Sequence, residues 1–184
     1  VWGPLGNVFP SISVDHLLLV AGGIGQTPFL SVTRERLGKR SYGPSDRVAP
    51  TARRVTLCYG ARNAGYFSGL EDFTAAGAEL RLATEDGSKG HKGLVTDLVR
   101  EALAEPDRPE LIFCCGPEPM MEAVSKIAEE ARVKCYVSLE TPMACGIGIC
   151  FTCVAKVRDG VGGDWDYRRT CVEGPIFEST QIVW

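Results

Sequence analysis

Four cysteines constrain this chain more than anything else in it. The stretch Met143-Ala144-Cys145-Gly146-Ile147-Gly148-Ile149-Cys150-Phe151-Thr152-Cys153 is answered downstream by Cys171, a C-x4-C-x2-C triplet followed after 17 residues by a fourth cysteine. Four thiolates so arranged suit a [2Fe–2S] cluster: three ligands share one short loop and the fourth closes the cage. The glycines between the first pair fit, because glycine takes positive φ and lets the backbone aim N–H groups at anionic sulfurs. Two other readings compete. A four-cysteine zinc site more often uses two short paired knuckles. A disulfide framework requires an oxidising compartment and is typical of chains with little core.

The chain has 184 residues, enough for one or two small domains, and carries a net charge of −3 from 20 basic and 23 acidic residues. No basic tract points to nucleic acid, and no apolar run reaches the ~20 residues that span a bilayer. No secretory signal opens the chain, so a reduced, cytoplasmic setting is the expectation. The opening Val1-Trp2-Gly3-Pro4-Leu5-Gly6-Asn7 reads as the tail of something larger, or as the remnant of a processed leader or tag.

Upstream of the cysteines, short apolar runs alternate with helical patterns. His16 to Ala21 reads as a strand buried on both faces. It leads into Gly22-Gly23-Ile24-Gly25-Gln26-Thr27-Pro28 and a helix from Phe29 to Leu37. Strand, glycine loop and helix N-terminus together suit a pyrophosphate. Thr27 is placed to cap that helix and Pro28 to occupy its first position. A tight turn without a ligand is the other reading, since proline stands where the G-x-G-x-x-G pattern wants its last small residue.

Residues 38–51 read as an exposed, mobile loop. Further strands are expected at Arg54–Gly60, Glu79–Thr84, Glu110–Gly116 and Lys134–Glu140, with helices over Phe67–Ala76, Leu94–Ala104 and Met120–Ala131. Phe67, Leu70 and Phe73 are read as core, as are Cys58, Cys114 and Cys135. The fold class is therefore α/β: a five-stranded, doubly wound parallel sheet with a small C-terminal cysteine module. Ligands of such sheets sit at the carboxyl ends of the strands. Residues 151–184 are too few for a large core of their own, so ligation is expected to order them.

Gly22-Gly23-Ile24-Gly25, Tyr59-Gly60-Ala61-Arg62, Cys115-Gly116-Pro117, Ser138-Leu139-Glu140, the triplet loop and Cys171-x-x-Gly174-Pro175 follow one another in order. In this the whole chain resembles the electron-transfer subunits of two-subunit, NAD-dependent dihydroorotate dehydrogenases, within the ferredoxin–NADP reductase superfamily. The resemblance implies an FAD-binding barrel, an NAD-binding α/β domain and a C-terminal [2Fe–2S] module. On that plan residues 1–15 are the end of the flavin domain, 16–140 the NAD-binding domain and 141–184 the cluster module. The barrel, with its Arg-x-(Tyr/Phe)-Ser stretch, is not in this sequence, which puts FAD binding by these residues alone in doubt.

The resemblance implies that Gly22, Gly23, Gly25, Thr27 and Pro28 serve the NAD pyrophosphate, with Cys115, Gly116 and Pro117 near the nicotinamide. Cys115 as one more buried strand cysteine is the other reading. Glu85, with Asp86 beside it, stands where NADP-specific relatives use arginine, which favours NAD; a merely solvated turn residue is the alternative. Cys145, Cys150, Cys153 and Cys171 are the implied cluster ligands. The implied partner is an FMN-containing dihydroorotate dehydrogenase catalytic subunit of pyrimidine biosynthesis, whose electrons pass through the cluster and FAD to NAD. Thr141-Pro142 departs from the charged residues expected there. His16 and His91 stand isolated and no carboxylate pair stands out, so no acid–base residues are assigned. Two rival functions keep part of this picture. One is a reductase subunit of an NAD(P)H:ferredoxin, sulfide dehydrogenase, hydrogenase or sulfite reductase complex; the other is a redox-silent, zinc-stapled nucleotide-binding module.

Overall fold

The run His16–Gly22 forms strand β1, buried along its whole length. Its alternate side chains feed two different cores: Leu17, Leu19 and Ala21 on one face, Leu18 and Val20 on the other. That two-sided burial is why the run is continuously apolar instead of alternating with polar residues. The computed structural model describes residues 5–43, 49–159 and 163–184. The first four residues of the expected flavin-domain end, and positions 44–48 of the expected loop, lie outside the described residues.

The remaining strands are β2 (Arg54–Ala61), β3 (Glu79–Thr84), β4 (His91–Lys92), β5 (Leu111–Cys115), β6 (Lys134–Ser138), β7 (Val154–Arg158), β8 (Trp165–Arg169) and β9 (Ile176–Glu178). Seven of them form one sheet in the order β4-β3-β2-β1-β5-β6-β9, all neighbours parallel except the antiparallel pair β6–β9. The five strands read from the sequence are all present. The two additions, of two and three residues, are too short to leave a periodic signal.

Helices α1 (Phe29–Arg36) and α2 (Leu70–Ala76) bring Phe29 and Phe73 to the core that holds Leu17, Leu19, Tyr59 and Phe113. Helices α3 (Val95–Ala104) and α4 (Glu118–Glu130) cover the other face with Leu98, Val99, Met121, Val124 and Ile127. Each fully buried side chain of this size contributes about 1.5–3 kcal/mol. The sheet is therefore doubly wound, as expected. Phe73 is fully buried, Phe67 and Leu70 partly so, and Cys58, Cys114 and Cys135 are buried in their strands.

The start of α1 departs from expectation. Gly23–Gln26 forms a 3-10 turn with Thr27 at its end, and Pro28 is the N-cap of α1 without a side-chain capping bond. Thr27 thus does not cap α1. The reason is tertiary: a Cβ on Gly25 would lie 2.1 Å from the Cys115 carbonyl oxygen, so the loop is drawn against the end of β5 before the helix begins.

His16 and His91 are not isolated. His16 is buried; its Nδ1 donates to the Asp107 carbonyl at 2.8 Å, so its Nε2 accepts from the Thr56 hydroxyl at 2.9 Å. Burial lowers its pKa from the ordinary 6.5. His91 Nε2 lies 3.3 Å from Asp97 Oδ2. The C-terminal segment also shares the main core. Val157, Phe177 and Ile182 are buried with the α3 and α4 side chains, and β9 closes the β6 edge. Among the described residues, no helix is long and apolar enough to cross a membrane.

Candidate functional site

Sheet order reverses direction between β1 and β5. From β1 the chain winds outward through β2 and β3, whereas β5 and β6 lie on the other side. Ligand crevices in open α/β sheets form at the carboxyl ends of strands at such a switch point. Here the strand ends open into a cavity of about 670 Å³. One wall is Gly22–Gly25 with Cys115–Glu118; the other is Val154–Lys156 of β7 with Ile182–Trp184. Ser138 to Thr141, leading out of β6, joins the two walls.

Of the residues named from the sequence, Gly22, Gly23, Gly25, Cys115, Gly116 and Pro117 come together in this cleft. Pro28 lines instead a second cavity of about 600 Å³ beside the Asn7–Ser11 segment, and Thr27 lines neither. Glu85 and Asp86 are exposed beyond the end of β3, away from the cleft. Asp86 Oδ1 accepts from the Ser88 N–H at 2.9 Å and the Ser88 hydroxyl at 2.6 Å, while Ser88 Oγ accepts from the Ala64 N–H at 2.8 Å. These bonds tie the ends of β2 and β3 together. Cys115 is half-buried, and burial raises its thiol pKa. It is a wall of the cleft rather than a reactive thiolate.

The four cysteines fall into two pairs, in the loop that leads into β7 and just after β8. The Cys150 N–H donates to Cys145 Sγ at 3.5 Å, and Cys153 Sγ lies 3.1 Å from Cys171 Sγ. Among the described residues no three or more metal-ligating side chains converge on one point. The loop between is shaped for an anion. Gly146 and Gly148 take φ of 65° and 79°, which turns successive N–H groups inward. The Cys150 and Ile147 N–H groups hold the Cys145 thiol down to about 6. The contact between the two sulfurs lowers the Cys153 thiol pKa and raises that of Cys171. Four soft sulfur donors with backbone N–H groups turned onto one of them fit an anionic iron–sulfur cluster.

Arg169 fastens this loop to the hairpin of β7 and β8, donating to the Gly148 carbonyl at 2.7 Å and lying 5.2 Å from the Phe151 ring centroid. Around the loop Met143, Ile149 and Phe151 stay exposed. The Ser138-to-Thr141 bridge and the Trp184 wall escaped assignment from the sequence. Ser138-Leu139-Glu140 was a visible signature, but nothing local places Trp184 opposite Cys115.

Comparison with known proteins follows the same geometry. Residues 19–126, more than half of the chain, match the oxidoreductase NAD-binding domain. The chain belongs to that family. Residues 140–183 match the iron–sulfur cluster binding domain of dihydroorotate dehydrogenase B. Among curated relatives, the dihydroorotate dehydrogenase B (NAD(+)) electron transfer subunit of Caldanaerobacter subterraneus subsp. tengcongensis is 35% identical over 100% of this chain and 66% of its own length. That of Clostridium acetobutylicum is 35% identical over 100% of this chain and 64% of its own. The chain thus spans just under two thirds of the length of these relatives. A solved NADH-dependent reduced ferredoxin–NADP oxidoreductase superposes with a TM-score of 0.78 at 29% identity, covering 100% of this chain and 59% of that one. The resemblance read from the cysteine loop and strand-end motifs is borne out.

Proposed function

We propose that this chain is the NAD- and cluster-bearing part of an electron-transfer subunit of the dihydroorotate dehydrogenase B type. It would serve a partner FMN subunit that oxidises dihydroorotate, in the cytoplasm. The observation that carries the reading is the shared cleft: its glycine wall suits a dinucleotide, and its other wall leads directly to the four-cysteine loop. When bound, the cluster supplies one-electron transfer, the nicotinamide hydride transfer, and a flavin the exchange between the two.

In this reading Cys145, Cys150, Cys153 and Cys171 hold the cluster, and the N–H groups around Cys145 offset its charge. The Gly22–Gly25 backbone receives the pyrophosphate at the end of β1. Cys115, Gly116 and Pro117 form the apolar side against which the nicotinamide rests, while Ile182–Trp184 exclude water from the opposite side. Glu85 and Asp86, exposed at the end of β3, disfavour a ribose 2′-phosphate and so favour NAD over NADP. The relatives extend beyond the stretch they share with this chain, which supports an FAD site that draws on residues outside that stretch.

The test is the full-length protein co-expressed with the FMN subunit. Stoichiometric iron and sulfide, an EPR signal on reduction and NAD reduction by dihydroorotate are expected. Stoichiometric zinc without a paramagnetic signal would overturn the reading. The likeness to the ferredoxin–NADP oxidoreductase favours one alternative, a ferredoxin-linked circuit on the same fold. Co-purification with a ferredoxin-reducing subunit in place of an FMN dehydrogenase would establish it.

A further inference from the structure

Asn7 commits its whole carboxamide to residues 166 and 169 positions further along the chain. Its Nδ2 donates to the Glu173 carbonyl at 3.0 Å and the Ile176 carbonyl at 2.8 Å, and its Oδ1 accepts from the Ile176 N–H at 2.9 Å. Its backbone N–H donates to the Gly174 carbonyl at 2.6 Å. Both amide protons and the oxygen of the side chain are thereby in use. The approach is closest at Gly6, φ 72°, where a Cβ would lie 2.1 Å from the Gly174 carbonyl oxygen.

The segment that receives these bonds begins at Glu173, just past Cys171. On its near side the turn through Cys171 is closed by the Arg169 carbonyl, which accepts from the Val172 and Glu173 N–H groups at 3.1 and 2.8 Å. On its far side the chain enters β9 at Ile176. The Pro175 carbonyl faces β6, accepting from the Leu139 N–H at 2.9 Å, so the backbone groups of Ile176 face the open edge of the sheet. Asn7 occupies that edge and bonds both of them, as a residue of a further strand would. The other end of the opening segment is fastened to the main core. Phe9 stacks on Phe113 of β5 with ring centroids 4.5 Å apart, and Arg36, buried in α1, donates to the Pro10 carbonyl at 3.0 Å and the Ile12 carbonyl at 2.6 Å. Residues 6–12 therefore form a strap from the sheet to the Cys171 turn.

We propose that Asn7 is a positioning residue that fixes the turn bearing Cys171 to the sheet, so that Cys171 keeps its hold on the cluster. This rests on the proposed reading in which Cys171 is the fourth ligand of an iron–sulfur cluster. The other three cysteines share one loop, so departure of Cys171 opens the cage. Asn7 touches neither sulfur nor iron and acts through the backbone of residues 173–176. An aspartate in its place has the same size but no donors, and turns a carboxylate on two carbonyl oxygens.

The test uses the full-length holoprotein, with iron content and EPR recorded first, then hydrogen exchange read by mass spectrometry and bleaching of the visible absorbance by an iron chelator. Asn7→Asp is expected to speed exchange of the amides of residues 172–178 roughly tenfold to a hundredfold, the weight of two lost hydrogen bonds, and to speed bleaching, while the amides of β1 keep wild-type protection. Gly6→Ala, which parts the same two segments by a collision, is expected to do the same. Unchanged exchange over residues 172–178 overturns the strap. Faster exchange there with unchanged bleaching overturns the positioning role and leaves the cluster reading intact. Failure of Asn7→Asp to load iron supports the proposal where β1 protection is native, and overturns it in favour of a general structural role where that protection is lost. A wild-type protein without iron overturns the cluster reading, and the proposal with it.

Discussion

The parallel sheet and the cysteine loop solve opposite problems within one chain. At the sheet, β1 is buried throughout and its glycine loop packs against the end of β5 so closely that no side chain fits at Gly25. At residues 143–153 there is no regular structure, large apolar side chains point outward, and polypeptide order rests on N–H groups turned towards sulfur and on Arg169. The first region is organised by its own apolar surface; the second has little apolar surface of its own to organise it. The strand-end cleft is therefore shaped by the fold alone, whereas on the proposed reading a cluster would complete its own cage.

Substitutions should separate the two regions. Leu19→Ala removes a fully buried side chain from the central strand and is expected to cost about 2–5 kcal/mol in urea unfolding. An effect below about 1 kcal/mol would show that β1 is not the foundation of the sheet. Gly25→Ala places a methyl group against the Cys115 carbonyl and displaces the cleft wall. It should lower NADH oxidation by the complete complex roughly a hundredfold, read by stopped-flow absorbance, with the cluster spectrum unchanged.

The buried imidazole predicts a smaller, pH-dependent effect at the opposite end of β1. His16 has a folded pKa below 6.5, so below that pH the unfolded chain binds a proton that the folded chain refuses. The neutral ring's contribution is fully present above pH 6.5 and is lost as pH falls from there towards the folded pKa. His16→Gln should flatten that limb of a urea-midpoint-against-pH profile; an unchanged slope would assign the acid sensitivity elsewhere. Smallest of all on the sheet is Cys150→Ser. It should abolish the cluster's visible absorbance while changing the unfolding free energy of the sheet by no more than about 0.5 kcal/mol. A loss as large as that of Leu19→Ala would make the two regions one folding unit.

What could be read from the residues follows the same division. The strands β1, β2, β3, β5 and β6 and the four helices announce themselves because burial on one or two faces imposes a pattern on the sequence. The cysteine triplet announces itself by spacing. Features set by contacts between distant segments do not. The 3-10 turn at Gly23–Gln26 exists because Cys115 is close by, β4 and β9 are too short for periodicity, and the partners of His16 lie 40 and 91 residues away. Asn7 shows the limit best: in sequence it only closes an opening that reads as a tail, and its bonding partners lie 166 and 169 residues further on.

Strand β9 carries one more consequence. It lies beyond the last of the four cysteines, yet it is the strip that covers the outer rim of β6, pairing Ser138 with Ile176 and Val137 with Phe177. Cleavage of the chain between Cys171 and Ile176 would free that strip and uncover a ladder ready to pair with another molecule. A nick there should therefore first be noticed as turbidity.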